Sequence, residues 1–483
     1  MRFDIRPILL VIGLLLTTLG AAMLLPAIVD LMADNDDWRV FAVSGILTIL
    51  IGAGLYGGAR GTTTHLGTKQ AFLMTVGTWV ALAVFGALPY LWSGIVSTFT
   101  DALFESLSGL TTTGATVITG LDNAPPGILF WRGIQQWLGG LGIIVMAVAV
   151  LPMLQIGGMQ LFKIEAFETA EKIMPRATQI SGSLTLVFLF VTALCAIAYL
   201  SAGMALDDAV IHAMTTVATG GFSTKDASMG HFDSTAIQLV SVVFMVLGSI
   251  PFILYVQAVR GQSLALWKDS QVRVFLILLA ILVLIAWRIY PGSGDETSGN
   301  GFMFALFNVT SIMTGTGYAT TDYSSWGPVS NMFFFIIMFI GGCAGSTSCG
   351  IKIFRFQVLF EALKQHVKRI FYPNGIFPMK FNRRVLEDSV ATAVMSFLFL
   401  YIVIFFIVAS LLSLTGLDFI TALSASGSAI SNVGPGLGSQ IGPAGTYKDL
   451  GDGAKWILMA AMLIGRLELF TVLVLFVPRF WRS

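Results

Sequence analysis

Charge is scarce in this 483-residue chain: Asp, Glu, Lys and Arg together make up 11% of it, against about 25% in soluble domains. The deficit runs along the whole length, which excludes a soluble enzyme held by a single anchor. Cysteine is scarce too. Cys195, Cys343 and Cys349 sit in apolar or Gly/Ser-rich sequence and read as small buried side chains. The four histidines are scattered without metal-ligand spacing. No hydrolase, kinase or metalloprotease motif is present, so the chain reads as a non-enzyme. A net charge of +1 with no concentrated basic face excludes a nucleic-acid partner.

What is present is apolar sequence, 56% of the chain, in recurrent runs of bilayer-spanning length. The apolar stretch that follows Met1–Arg6 and runs to about Leu31 lacks a small-residue cleavage site and reads as a retained helix over roughly 7–32. A second helix follows over roughly 38–58, then a polar patch from Arg60 to Lys69.

After that patch one pattern occurs four times: a long apolar helix, a short amphipathic segment, a Thr/Gly/Ser-rich stretch and another apolar helix. Glu105, His212 and Asn308 each lie nine residues before a glycine, namely Gly114, Gly221 and Gly317; in the fourth unit Ala425 lies nine before Gly434. A fourfold divergent repeat predicts four pieces around one axis. The division is 1–64 for the N-terminal helix pair, then 65–178, 179–266, 267–380 and 381–483 for the four units.

Lys and Arg cluster at 2–6, 60–69, 163–176, 260–273, 352–384 and 479–482, while acidic residues dominate the opposite turns. By the positive-inside rule the basic side, with both termini, is cytoplasmic. Each Gly/Thr-rich stretch then lies externally, behind a segment too short to span, so that segment must enter the membrane and return. Irregular backbone at that depth is tolerated only where it is buried in protein or lines a water-filled path. The expected fold is therefore an all-α integral membrane protein with ten spans and four re-entrant loops.

The loops read Thr111-Thr112-Thr113-Gly114, Thr219-Gly220-Gly221, Gly315-Thr316-Gly317 and Asn432-Val433-Gly434. Carboxylates are absent from them, which argues against a divalent site. The donors left are backbone carbonyls and Thr hydroxyls, which suit a dehydrated monovalent cation. Glycine permits the dihedral angles that successive inward carbonyls require. The preceding short helix turns its partly negative C-terminal end toward the cation. Glu105, His212 and Asn308 read as buried supports for these helices rather than ion ligands.

Over essentially its full length the chain resembles the TrkH/KtrB superfamily of potassium transporters, nearest to bacterial TrkH, in the four loops and in Gln135-Gln136-Trp137-Leu-Gly-Gly-Leu-Gly142. The resemblance implies four tandem M1–pore helix–M2 units in pseudo-fourfold arrangement, preceded by a helix pair. It implies potassium as cargo with no organic cofactor, a homodimer in the lipid of the bacterial inner membrane, and a cytosolic nucleotide-binding regulator of the TrkA type. Only loop four keeps Val-Gly and only loop three has Gly-Tyr, which predicts weaker discrimination between potassium and sodium than in symmetric potassium channels. The alternative is a secondary symporter coupling potassium to sodium or protons. Such proteins are built from inverted repeats, whereas these four run in one orientation.

Two features lie below the loops. A single helix from Pro328 to about Ile370 would be roughly 60 Å long, about twice the hydrocarbon thickness. Its middle, Gly341-Gly342-Cys343-Ala344-Gly345-Ser346-Thr347-Ser348-Cys349-Gly350, forms helix poorly and is expected to break it into a gate. The resemblance names the same segment an intramembrane gating loop. The last span is expected as one stretch, Trp456–Val477, with Arg466 midway. An arginine there costs about 2.5–3.5 kcal/mol on insertion scales and is expected to set its charge against the gate, with Glu468 pointing elsewhere. The basic segment Lys352–Arg384 continues from the gate and is expected to dock the regulator.

Overall fold

In the computed structural model, residues 4–61, 67–149, 177–262, 264–291, 298–382 and 384–482 are described. The first two helices, α1 (Arg6–Met32) and α2 (Trp38–Gly58), form a hairpin. Their seam is cut by glycines seven residues apart: Gly13 and Gly20 on α1, Gly45 and Gly52 on α2. A Cβ on Gly20 would fall 2.7 Å from the Gly45 carbonyl oxygen. Small residues let membrane helices gain dispersion contact that large side chains would block. Asp30 of α1 is fully buried and fastens the pair to unit one, because its Oδ1 accepts from Gly127 N at 2.7 Å.

Unit one has an outer helix in two pieces, α3 (Thr68–Gly86) and α4 (Leu88–Trp92), a short helix α5 (Phe99–Leu110) and an inner helix α6 (Pro126–Ala149). Unit two has α7 (Ala177–Ser201), the short α8 (Leu206–Val217), and an inner helix split into α9 (Thr235–Gly248) and α10 (Phe252–Val259). Unit three has α11 (Ser270–Ile289), α12 (Ser298–Thr314), and inner pieces α13 (Pro328–Ile337) and α14 (Ile353–Phe371). Unit four has α15 (Asp388–Leu414), α16 (Phe419–Ser431), α17 (Asp452–Arg466) and α18 (Leu469–Leu473). A two-residue hairpin, Lys380–Phe381 against Arg384–Val385, joins α14 to α15 and is a small exception to the all-helical fold.

The short helices α5, α8 and α16 have 12, 12 and 13 residues. That is about 18–20 Å, too short to cross a core of about 30 Å, so each stops midway as expected. Thr98 and Asp418 start two of them by accepting backbone N–H bonds in the first turn.

Six helices are long and apolar enough to span by length and composition alone, and two bent pairs bring the number to eight among the described residues. The remaining two of the ten spans are α6, with polar Arg132, Gln135 and Gln136 on buried contacts, and the broken helix of unit three. That break falls at residues 338–352, as the run of small residues predicts. The last span departs from expectation. Trp456–Val477 is not one helix: it bends by 115° between α17 and α18, with Glu468 left-handed at φ 62°. Arg466 therefore ends a helix instead of sitting midway. The cause is tertiary, since Arg355 Nη2 donates to Glu468 Oε2 at 2.6 Å and draws that residue out of helical register. Unit two bends similarly, by 91°, at Ser249–Pro251.

A candidate cation path built from four left-handed loops

Each short helix ends in the same motif. The N–H of Thr113, Gly220, Thr316 and Val433 donates to the carbonyl five residues back, at 2.9, 2.8, 2.9 and 3.0 Å. The residue before each, Thr112, Thr219, Gly315 and Asn432, is left-handed and donates three residues back. This is a Schellman cap, repeated four times. Two residues beyond each left-handed cap the chain is left-handed again, at Gly114, Gly221, Gly317 and Gly434, with φ between 77° and 104°. At Thr112 and Thr219 the cap forces a β-branched residue into a region it avoids.

The loops meet in a closed cycle. A Cβ on Gly114 would strike the Gly220 carbonyl, on Gly221 the Thr316 carbonyl, on Gly317 the Val433 carbonyl, and on Gly434 the Thr113 carbonyl. Loop one abuts two, two abuts three, three abuts four, and four returns to one. All four glycines line a single outer cavity of about 270 Å³. The residue before each glycine is buried.

Side chains behind the loops hold this geometry. Glu105 accepts from Val117 N at 2.9 Å and from Thr116 Oγ1. His212 Nε2 exchanges a hydrogen bond with Ser223 Oγ at 3.0 Å. Asn308 accepts from Thr320 N and donates to Thr320 Oγ1. All three are fully buried and clamp the outgoing strand of their own loop, as supports should. In unit four Ala425 cannot do this, and its neighbour Ser424 accepts from Leu437 N at 3.0 Å instead. Thr111 contributes a hydroxyl bonded to Thr113 Oγ1 at 2.8 Å, matched by Thr314 and Thr316 at 2.7 Å.

Arg132 was missed by sequence reasoning, although an arginine inside an apolar helix was the available signal; Gln136 was read only as part of the family-like Gln135–Gly142 motif, without a role. Arg132 is 1% exposed. It pairs with Glu105 at 2.8 Å, donates to Ser223 O at 2.6 Å and stacks over Phe222 at 4.1 Å, so it joins loops one and two. Gln136 donates to Gly220 O at 2.5 Å and accepts from Phe222 N at 3.0 Å. Tyr318 of loop three bonds Thr215 Oγ1 of α8 at 2.5 Å. Asn432 Nδ2 reaches Thr113 Oγ1 at 2.8 Å, which joins loop four to loop one.

Beneath the ring lies the segment 338–352. Thr347 Oγ1 donates to Val217 O at 3.0 Å and Ser348 Oγ to Thr314 O at 2.6 Å, so its hydroxyls cap the carbonyl ends of α8 and α12. Its backbone is fixed to the bend in unit two: Cys343 N donates to Ser249 O, Thr347 N to Gly248 O, and Phe252 N to Gly345 O. Gly342 N donates to Ser348 Oγ and Ser346 Oγ to Cys343 O. Gly345 and Gly350 are left-handed, and Gly341 packs its α-carbon against the Cys349 carbonyl. Arg466 Nη1 donates to Thr347 O at 3.2 Å and lies 2.5 Å from Cys349 Sγ. No carboxylate pairs with Arg466 among the described residues. Glu468 does not point elsewhere as expected, because the bend brings it into the same small cavity as Arg466, of about 40 Å³.

Comparison with known proteins adds the family. The TrkH profile, described as a cation transport protein, matches residues 38–290 and 293–483. The chain belongs to the TrkH family. It is 42% identical to the Trk system potassium uptake protein TrkI of Halomonas elongata, covering 99% of this chain and 97% of that one. It is 38% identical to the Trk system potassium uptake protein TrkH of Escherichia coli K12, over 99% of both. The crystal structure of the potassium transporter TrkH from Vibrio parahaemolyticus superposes with a TM-score of 0.91 at 37% identity, covering both chains fully. The TrkH-family fold is thus the one expected: four M1–pore helix–M2 units in pseudo-fourfold arrangement with an N-terminal helix pair.

Arg132→Gln leaves the Glu105 carboxylate buried without its cation, a change costing about 3–5 kcal/mol at comparable sites. The expected outcome is a lower melting temperature in detergent and altered cation flux in liposomes. Glu105→Gln combined with Arg132→Gln is expected to recover much of the stability. Unaltered melting and unaltered flux in the single variant would mean that the pair does not hold the loops.

Proposed function

We propose that this protein conducts potassium ions into the cell across the bacterial inner membrane, along the axis of the four loops. The observation that carries this reading is the closed cycle in which each loop's left-handed glycine abuts the next loop's carbonyl. The names of the relatives, Trk system potassium uptake proteins, support the choice of ion. A dehydrated cation entering from the outer cavity would exchange water for the carbonyls of Thr113, Gly220, Thr316 and Val433. Thr112, Thr219, Gly315 and Asn432 would offer the next layer down, at the negative ends of the short helices. The five segments 1–64, 65–178, 179–266, 267–380 and 381–483 then act as the helix pair and four pore units, with both termini cytoplasmic.

Segment 338–352 would act as the gate. In the conformation described, its hydroxyls satisfy the carbonyls that a passing ion would meet, and Arg466, which pairs with no carboxylate among the described residues, sets its charge against it. Opening requires these bonds to break, after which the ion replaces Thr347 and Ser348 at the helix ends. Helix α14 starts one residue past the segment, so a homodimeric assembly with a TrkA-type nucleotide-binding regulator on the cytoplasmic face would move the gate through it.

Two recordings on purified protein in bilayers test the reading. Serine at Gly114, Gly221, Gly317 or Gly434 is expected to lower the potassium-to-sodium permeability ratio; four variants with the parental ratio would refute the four-loop filter. Arg466→Ala, or a deletion within 341–350, is expected to raise potassium flux in the absence of any regulator. Flux that stays at or below the parental level in well-folded variants would make the segment a packing kink. In the same recordings, a reversal potential that follows the potassium gradient alone separates passive conduction from symport.

A further inference from the structure

The corner between α14 and α15, within the basic segment expected to dock the regulator, holds two cavities. One, of about 420 Å³, is lined by Leu359, Leu363, Ala391 and Met395, together with the polar His366, Arg369, Asp388 and Thr392. The other, of about 250 Å³, is lined by Lys364, Lys368 and Lys380, with Glu361 and Phe377. Gln365 and Met379 line both, so the two are halves of one site, one apolar and one basic. Glu361 is engaged by Lys364 at 3.3 Å, and Lys368 stands 5.7 Å from the Phe377 ring. Among the described residues no carboxylate pairs with Lys368, Arg369 or Lys380.

The apolar half leads onto the membrane. From Met395 the exposed face of α15 continues through Phe399, Ile402 and Phe406, spaced four, three and four apart along one helical stripe. On α14 the exposed Phe360, Leu363, Val367 and Ile370 form a matching stripe beside the lysines, the pattern of a helix lying in the membrane interface. Lys352 and Arg355, by contrast, point inward to the gate, where their partners are Ser348 and Glu468. The basic segment thus divides into a part that serves the gate and a part that faces the interface.

We propose that this corner binds one anionic glycerophospholipid, its phosphate among Lys364, Lys368 and Lys380 and its acyl chains along Met395 and Phe399. The charge complementarity selects an anion, and the continuous apolar stripe selects one with tails. A second copy of the chain fits less well, since a twofold contact through this patch would oppose two sets of lysines. The consequence is mechanical. A lipid spanning α14 and α15 ties the helix that continues from the gate to a fixed outer helix, and so biases the gate.

Native mass spectrometry of the detergent-purified, delipidated protein tests this. Dioleoyl phosphatidylglycerol is titrated beside dioleoyl phosphatidylcholine and inorganic phosphate. Phosphatidylglycerol is expected to bind more tightly than phosphatidylcholine, and K364Q/K368Q/K380Q to weaken it by about 100-fold. Met395→Asn, at an exposed position, is expected to weaken phosphatidylglycerol while keeping the parental melting temperature. Equal binding of the two lipids, retention of phosphatidylglycerol by the triple variant, or displacement by equimolar inorganic phosphate would each overturn the proposal. Loss of the dimer in the triple variant with lipid binding unchanged would assign the patch to a second copy and overturn it too.

Discussion

Four neighbouring loops can pack carbonyl against α-carbon in a closed cycle only where each loop presents an α-carbon without a Cβ. The contacts from Gly114 to Gly220 O, Gly221 to Thr316 O, Gly317 to Val433 O and Gly434 to Thr113 O are therefore the constraint around which the rest is built. The Schellman caps set the direction of each loop. The clamps behind it keep the strand extended, and the inner helices give way to it. Gly139 lets α6 press against the Leu110 carbonyl, and Gly465 does the same for α17 at Ile430.

Although the four loops share one backbone, their supports differ. A carboxylate with its arginine serves loop one, a histidine loop two, an asparagine loop three and a serine loop four. Each satisfies polar groups that would otherwise be desolvated without partners, which is costly at membrane depth. Equivalent geometry from unequal chemistry is what a divergent repeat within one chain allows and a symmetric tetramer does not. Between units one and two, Arg132 and Gln136 of α6 both reach loop two.

The repeat was legible because a glycine at a required left-handed position leaves a fixed spacing from its buried support, as with Glu105 and Gly114. The break near Gly341–Gly350 was legible from its lack of helix formers. Ser424 was not, since unit four moves the clamp by one residue and the spacing points to Ala425. The left-handed Thr112 and Thr219 were not, because their residue type argues against that conformation and only tertiary packing overrides it. The bend after Arg466 was hidden for a similar reason: Gly465-Arg466-Leu467-Glu468 continues a helix locally, and the partner that breaks it, Arg355, lies 113 residues away.

Three of the four inner helices are interrupted at the level of the segment 338–352, at Ser249–Pro251, within the segment itself and at Leu467–Glu468. The backbone freed at the bend in unit two bonds to the segment, and at the bend in unit four the Arg466 side chain reaches Thr347 O of the segment, so both bends are tied to it. The most direct test is ion density. A structure of the protein in rubidium or thallium is expected to show density on the axis between the carbonyls of Thr113, Gly220, Thr316 and Val433, lost when sodium replaces the heavier ion. Density confined to the outer cavity, or bound at side chains away from those carbonyls, would contradict the account.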